Sequence, residues 1–344
     1  MYKRPLAIFY LPEPPVDFQP LKDYRRLPDS QVGILSPELL SAIRRARAVR
    51  EAALELRELA DDPIARPPRL EIPSDDPEAF GEAARELLAV SLDQQIAWQD
   101  PGRALNGWID AISRLDVLVL QVQRIAMEEM RGFSVSADRL PLVVLNGADF
   151  PRGRIFTLLH EFAHVLLHAE GVCDVLPRSR VQRDADAVEV FCNQAAAAVL
   201  MPSRVFLADV GRFSKPPDGR WPDDALVGLS ARYSVSQESV VRRLYTLGLT
   251  NWDFLQEKQA EYRRGFEEYR AEQKRERETK DRPGGPTFYR MKVRDLGRGF
   301  IQSALDAYYR RAITGSDLSE YLEIKLNQIG RLEDELALTG GTRD

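Results

Sequence analysis

All three histidines of this 344-residue chain lie in one nine-residue stretch, HEFAHVLLH. His160 and His164 are four residues apart, so on an α-helix their imidazoles would lie on one face, one turn apart, and could bind the same metal ion. Glu161 follows the first histidine and completes the pattern H-E-x-x-H. Its carboxylate can take a proton from a water molecule on the metal and later return it to a leaving amine. The stretch therefore predicts a catalytic metal centre, and zinc suits imidazole and carboxylate ligands.

The same pattern also arises by chance on helices that face solvent. Here the positions around it are apolar on nearly every side, which predicts a buried helix; they are Ile155, Phe156, Leu158, Leu159, Phe162, Ala163, Val165, Leu166 and Leu167. Two histidines and a glutamate buried in such a helix require partners, and a metal ion supplies them. We therefore favour a metal site over a chance match.

The third histidine does not fit the known extension of this motif. That extension requires a glycine and a histidine at positions where this chain has Leu167 and Glu170. His168 would lie about 6 Å further along the helix axis than His164. We interpret His168 as a residue near the C-terminal end of the helix, ahead of Gly171, where the helix dipole favours a cation.

A third protein ligand must therefore come from another element and must be Cys, Asp or Glu. The run 181–200 predicts a second helix, and it contains Glu189 within an otherwise apolar stretch. Glu189 is the leading candidate, and Asp184 and Asp186 are alternatives that would otherwise be solvated residues of the first turn. Asn193, one turn beyond Glu189, either orients the ligating carboxylate or is a buried amide bonded to backbone.

The stretches FTLLHEFAHVLLH and VEVFCNQAAAAVLMP together resemble the ImmA/IrrE family of zinc metallopeptidases. Members of this family pair H-E-x-x-H with a glutamate on the following helix, ahead of an Asn and an Ala-rich segment that ends in Met-Pro. The resemblance covers residues 75–250. It implies that His160, His164 and Glu189 are zinc ligands and that Glu161 is the general base.

The resemblance also implies a function. It suggests an endopeptidase that cleaves a helix-turn-helix transcriptional repressor and so derepresses a stress, phage-defence or mobile-element operon. In larger relatives a segment similar to FYLPEPP follows a DNA-binding module, and this chain begins near that segment. We therefore expect it to act on a separate repressor and not to bind DNA directly. The alternative is a non-enzymatic zinc-binding regulator or antitoxin, but a binding-only site has no need for Glu161.

Composition limits the class of protein. The formal net charge of −5 gives no overall positive field for nucleic acid. The two cysteines, Cys173 and Cys192, do not make a disulfide scaffold and indicate a reducing compartment. No run of 18 apolar residues and no signal peptide is present, so we expect a cytoplasmic protein without membrane association.

Two interpretations of Cys173 are open. It is either a thiolate that blocks zinc until it is oxidised or an ordinary cytosolic thiol, and the second interpretation is the simpler one.

The elements that must position this chemistry indicate an α+β fold with a zincin-like core, in which a small sheet lies beside the active-site helices. Helices are predicted from Ser36, as N-cap, to Leu59 and over 77–90. The predicted strands are 116–122, 133–136 and 142–146. Leu142 to Asn146 is either an edge strand that pairs with an extended substrate or an ordinary core strand.

The remaining segments are predicted to be helical extensions. Residues 224–247 resemble a helix-turn-helix, but its Arg242 and Arg243 are too few for phosphate binding. A charged helix over 251–278 follows. The C-terminal helices are predicted at 293–307, at 318–322 with Ser316 or Asp317 as cap, and at 325–336. The predicted divisions of the chain are 1–74, 75–222 for the metallopeptidase domain, 223–280, and 281–344 as an accessory region.

Overall fold

The chain has an α+β fold, mostly helical, with one small mixed sheet. A computed structural model describes residues 35–68, 70, 76–167, 178–213, 216–279 and 287–340, and at 178–186, 274, 276–279 and 339–340 it describes the backbone alone. Before the sheet lie α1 (Pro37–Leu59), α2 (Pro77–Leu88), α3 (Leu92–Ala97) and α4 (Pro101–Ser113). After it come α5 (Pro151–Leu167), α6 (Arg178–Leu200), α7 (Ser203–Val210), α8 (Asp223–Tyr233), α9 (Gln237–Thr246), α10 (Trp252–Thr279), α11 (Phe288–Leu296), α12 (Arg298–Tyr309), α13 (Gly315–Leu322), a 3₁₀ helix (Leu326–Gln328) and α14 (Ile329–Gly340).

The sheet contains β1 (Leu118–Val122), β2 (Gly132–Val135) and β3 (Leu142–Asn146), in the order β1-β3-β2. β3 pairs in parallel with β1 and antiparallel with β2. Of the two alternatives for Leu142 to Asn146, the ordinary core strand is therefore correct and the substrate-pairing edge strand is wrong. All residues of β3 are buried, as in a strand covered on both faces, and such a continuous apolar run does not distinguish a central strand from an edge strand.

The two faces of the sheet belong to two different cores. Val143 and Leu145 of β3 point into a core with α2, α4, α5, α6 and α9. Leu142 and Val144 point the other way, into a core with α1 and the C-terminal helices α11 to α14. Alternating side chains of one strand thus stabilise both layers, because successive residues of a strand face opposite sides. The helix that carries the H-E-x-x-H motif, α5, lies in the first core.

The N-terminal and C-terminal helices pack together on the sheet face opposite the motif. α1 starts at the predicted cap, Ser36, whose hydroxyl accepts a hydrogen bond from the Leu39 amide. Two contacts join α1 to this region. The Tyr321 hydroxyl of α13 donates a hydrogen bond to Glu55 of α1, and Arg45 of α1 forms an ion pair with Glu323, the residue after α13.

Two predicted features of the C-terminal region are wrong. The single helix expected over 293–307 is divided at Gly297, whose φ of +77° is a conformation that favours glycine. The cap of α13 is Thr314, and neither Ser316 nor Asp317 takes that role. Asp317 lies three residues inside the helix, where its carboxylate accepts from the Thr314 amide to form a capping box.

The helix-turn-helix-like segment is present as α8 and α9, but one of its two arginines points inward. Arg243 is fully buried, and it donates to both carboxylate oxygens of Glu78 on α2 and to the carbonyl of Met201. Burial alone would raise the pKa of Glu78, but the Arg243 contact outweighs burial and lowers the pKa. Arg242 pairs with Glu238 on the helix surface. Arg243 therefore joins α9 to the first core.

Among the described residues, no single helix combines the length and the apolar composition needed to cross a membrane. One bent pair of segments, Ala187–Leu200 with Ser203–Val210, meets both requirements only when the two are taken together.

The Ala-rich part of α6 packs very closely on α2, as its small side chains predict. A Cβ added at Gly81 of α2 would lie 2.7 Å from the Ala198 Cβ and 2.9 Å from the Ala198 carbonyl carbon. Both distances are far below van der Waals contact, and the second neighbour is backbone. Gly81 is therefore needed for the helices to approach at this spacing.

We predict that Gly81→Ala lowers the free energy of unfolding by about 1–3 kcal/mol, because the added methyl group must push the two helices apart. Chemical denaturation measures the effect. The matched control is Gly265→Ala in α10, where an added Cβ meets no atom within 4 Å. That change should stabilise the protein by up to about 1 kcal/mol, since alanine is the better helix former. Equal effects of the two substitutions would contradict the close-packing argument.

Candidate metal centre

α5 brings the two histidines of the motif together as their spacing predicts. The Nε2 atoms of His160 and His164 lie 3.1 Å apart, and both side chains are buried. The helix begins at Pro151 and is buried through its second half, because β2 and β3 cover it on one side and α4 and α6 on others. The two imidazoles therefore face a common point inside the first core.

α6 adds the predicted third group. The Glu189 carboxylate lies with Oε2 at 3.3 Å from His160 Nε2 and Oε1 at 3.1 Å from His164 Nε2. The possible ligand atoms of the three residues all lie within 4.8 Å of one another. Glu189 is slightly exposed, at 12% of its side chain. The structure thus brings together the three residues that the sequence predicts as ligands.

The electrostatics of the cluster favour a cation at its centre. Burial alone would raise the pKa of Glu189, but hydrogen bonds to His160 and His164 outweigh it and lower that pKa. Burial would likewise lower the pKa of His164, yet contacts with Cys192 and Glu189 raise it above its ordinary value. Three groups that can each offer a lone pair converge here with little access to water, and a metal ion satisfies all three at once. The residues present therefore fit a bound metal.

Glu161, the residue after His160, contacts the sheet through one of its carboxylate oxygens. Its Oε2 accepts a hydrogen bond of 2.8 Å from the hydroxyl of Ser134 on β2, and both side chains are buried. Sequence reasoning did not identify Ser134. The available signal was a polar residue inside the predicted strand 133–136, but a strand pattern alone does not show which helix residue it faces.

A close approach of β2 to α5 makes this contact possible. A Cβ at Gly132 would lie 2.5 Å from Thr157 Cγ2 and 3.0 Å from the Val144 carbonyl oxygen, and 3.5 Å from Glu161 Cγ. Gly132 and Ser134 are alternate residues of β2, so they share the strand face that covers α5. Small residues on that face leave room for the glutamate side chain.

The structure shows the surroundings of two further residues of α6, Asn193 and Cys192. Asn193 donates its side-chain amide to the backbone carbonyl of Glu189 over 2.8 Å, so the alternative of a backbone-bonded amide is correct and the carboxylate is not its partner. Cys192 is buried beside His164, and burial raises the pKa of its thiol. His168 and Cys173 lie outside the described residues. So do the side chains of the alternative ligands, Asp184 and Asp186.

Comparisons with known proteins find similarity over part of the chain. A protein-family model described as the IrrE N-terminal-like domain matches residues 115–245, a range that includes the sheet, α5 and α6. The chain is 34% identical over 105 residues to the radiation response metalloprotease IrrE of Deinococcus radiodurans. It is 32% identical over 105 residues to the protein of the same name from Deinococcus deserti.

These alignments cover only part of each protein. Each spans 30% of this chain, and they span 30% and 35% of the two relatives, so the shared region is about a third of the relatives' length. The family-model match at residues 115–245 includes the H-E-x-x-H helix and the strands that contact it. Through residues 115–245, this chain is therefore similar to the IrrE N-terminal-like domain of metallopeptidases.

Proposed function

We propose that this chain is a zinc-dependent endopeptidase of the H-E-x-x-H type that acts in the cytoplasm. The observation that carries the proposal is the buried convergence of His160, His164 and Glu189 beside Glu161. Zinc is the proposed metal because two imidazoles and one carboxylate are a frequent ligand set of catalytic zinc, which keeps one position open.

The chain's own residues have distinct parts in peptide hydrolysis. His160, His164 and Glu189 would hold the metal. When bound, zinc acts as a Lewis acid that polarises the scissile carbonyl and makes a water molecule a better nucleophile. Glu161 accepts the proton that the attacking water loses and donates it to the nitrogen of the leaving amine. The carboxylate thus begins and ends the reaction in the same ionised state.

The position of β2 supports an extended peptide as substrate. β2 is at the edge of the sheet, and within the described residues its backbone pairs with β3 alone. Its Ser134 contacts Glu161, so this edge runs beside the catalytic carboxylate. A peptide added to an edge strand is held by main-chain hydrogen bonds. β2 therefore takes the role that the sequence had suggested for Leu142 to Asn146.

The proposed substrate is a helix-turn-helix transcriptional repressor, whose cleavage would derepress a stress, phage-defence or mobile-element operon. Two considerations support this substrate. One is the family resemblance, and the other is the phrase "radiation response" in the names of both relatives, which fits a stress operon. We propose docking through α8 and α9 or through the C-terminal helices. Val227 on α8 and Tyr245 on α9 are exposed apolar side chains at 49% and 40%, which suits a protein partner. The inward orientation of Arg243 supports a role other than DNA binding.

We predict that purified protein contains roughly one zinc ion per chain and that His164→Ala abolishes this occupancy, because two remaining ligands hold zinc poorly. Elemental analysis makes the measurement. His168→Ala is the matched control, since this histidine is four residues beyond His164 in the sequence and is not a proposed ligand; the variant should keep the metal. Full zinc occupancy in His164→Ala would refute the ligand assignment.

Glu161→Gln tests catalysis separately from metal binding. The substitution keeps the size of the side chain but removes its ability to accept a proton, so cleavage should fall by roughly a hundredfold or more. Zinc content and binding of the repressor should stay at wild-type levels. Unchanged turnover would exclude Glu161 as the general base. A wild-type protein that binds its partner but cuts nothing would instead support the non-enzymatic regulator.

Partner docking can be tested by co-purification with a helix-turn-helix repressor, for which any such protein encoded beside this gene is the first candidate. Val227→Glu places a charge on α8, and Leu338→Glu places one on α14, where the leucine is 76% exposed. The variant that weakens capture and cleavage identifies the docking surface, because a buried unpaired charge at an interface is costly. Zinc content should be unchanged in both. Binding of operator DNA by the chain alone, on the order of nanomolar at physiological salt, without cleavage of a separate repressor, would overturn the proposal.

A further inference from the structure

We propose that Ser134 is a positioning residue for the general base: its hydroxyl holds the Glu161 carboxylate in the orientation from which the other oxygen exchanges a proton at the metal centre. The inference rests on the proposed function, since it assigns a role within that reaction. The Ser134 Oγ to Glu161 Oε2 distance of 2.8 Å is that of a good hydrogen bond. Ser134 is 1% exposed and Glu161 is 3% exposed, so water competes little for this contact.

The backbone of Ser134 is fixed by the sheet. Ser134 lies opposite Val143 in the antiparallel ladder between β2 and β3. β3 is itself held on its other side by β1. The Cα of Ser134 therefore has a defined position relative to α5, and only rotation about χ1 moves its hydroxyl. A donor fixed in this way can define where the partner carboxylate lies.

Gly132 restricts the aliphatic part of the Glu161 side chain from another direction. Its Cα lies over the Glu161 side chain, since an added Cβ would reach 3.5 Å from Glu161 Cγ. The Glu161 methylene groups thus pack beneath the backbone of β2 while Ser134 holds the carboxylate end. Packing and a directional hydrogen bond together define one orientation of the side chain, as proton transfer at a fixed site requires.

The assignment gives the two carboxylate oxygens different tasks. Oε2 accepts the Ser134 hydroxyl, and Oε1 takes the proton from the attacking water and passes it to the leaving amine. Oε2 can accept the same hydrogen bond whether or not Oε1 carries the proton, so Ser134 need not move during the reaction. The proton that arrives on Oε1 is the one that leaves, and Ser134 neither gains nor loses one.

A purely structural role would be the alternative, in which Ser134 only satisfies a buried carboxylate. The two roles differ in what Ser134→Ala changes. Loss of a structural hydrogen bond lowers stability without a selective effect on the chemical step. Loss of a positioning contact lowers kcat and leaves KM and zinc content as they were, because neither the substrate-binding edge nor the metal ligands are altered.

We expect Ser134→Ala in the full zinc-loaded chain to lower kcat about tenfold, in line with the sensitivity of catalysis to small displacements. The probe is a quenched-fluorescence peptide that spans the bond cut by wild type in its repressor. Ser134→Thr keeps the hydroxyl and should recover most of the rate. In the Glu161→Gln background, Ser134→Ala should change the residual rate less than about twofold, because the group it positions is no longer a base. Ser230→Ala is the matched control; it removes a buried hydroxyl on α8 that bonds the Val235 carbonyl.

Crystal structures provide a readout that does not depend on activity. In Ser134→Ala the Glu161 carboxylate should leave its wild-type position by more than about 0.5 Å, the tolerance of catalytic geometry. A carboxylate that stays in place, or a kcat equal to that of wild type and of Ser230→Ala, overturns the inference while the proposed function stands. If wild type cuts no peptide, the proposed function fails, and the position of Glu161 in Ser134→Ala still decides whether Ser134 orients it.

Discussion

The contact between α5 and α6 is the constraint on which the rest of the site depends, because it presses a carboxylate against two imidazoles inside an apolar core. Glu189 lies within 3.3 Å of both histidines; His160 is fully buried and His164 is only 6% exposed. Polar groups buried in this way are costly unless they are bonded to one another or to a cation. The folded state therefore prepares a place for a positive charge, and Glu161, the proposed general base, lies one residue from His160, a proposed ligand.

The sheet separates this chemistry from the helices at the ends of the chain. β3 contributes Val143 and Leu145 to the core of the metal centre and Leu142 and Val144 to the core of α1 and the C-terminal helices. One strand that stabilises two layers fixes the distance between them. β2 has a different task, since it is at the edge of the sheet and carries Ser134 over the motif helix.

Local patterns in the sequence predicted much of this, and non-local contacts explain what they missed. The i, i+4 histidines, the apolar residues around them and the cap at Ser36 are signals within one element, so α5 and α1 could be read directly. The place of Leu142 to Asn146 in the sheet could not, because an all-apolar strand suits either a centre or an edge. Ser134 was missed for a related reason. Its partner, Glu161, lies on another element, and no periodicity within a strand reports such a contact.

The segment VEVFCNQAAAAVL combines ligand and packing roles in a way that makes them interdependent. Glu189 approaches the histidines near its start, and Ala198, near its end, lies against Gly81 of α2. A helix transmits displacement along its axis, since each residue is held by hydrogen bonds to the turns before and after it. The separation of α2 and α6 at Gly81 therefore helps to set where the Glu189 carboxylate lies. Small residues away from the ligand cluster thus contribute to the position of the helix that carries Glu189, because a close-packed interior leaves α6 little room to shift.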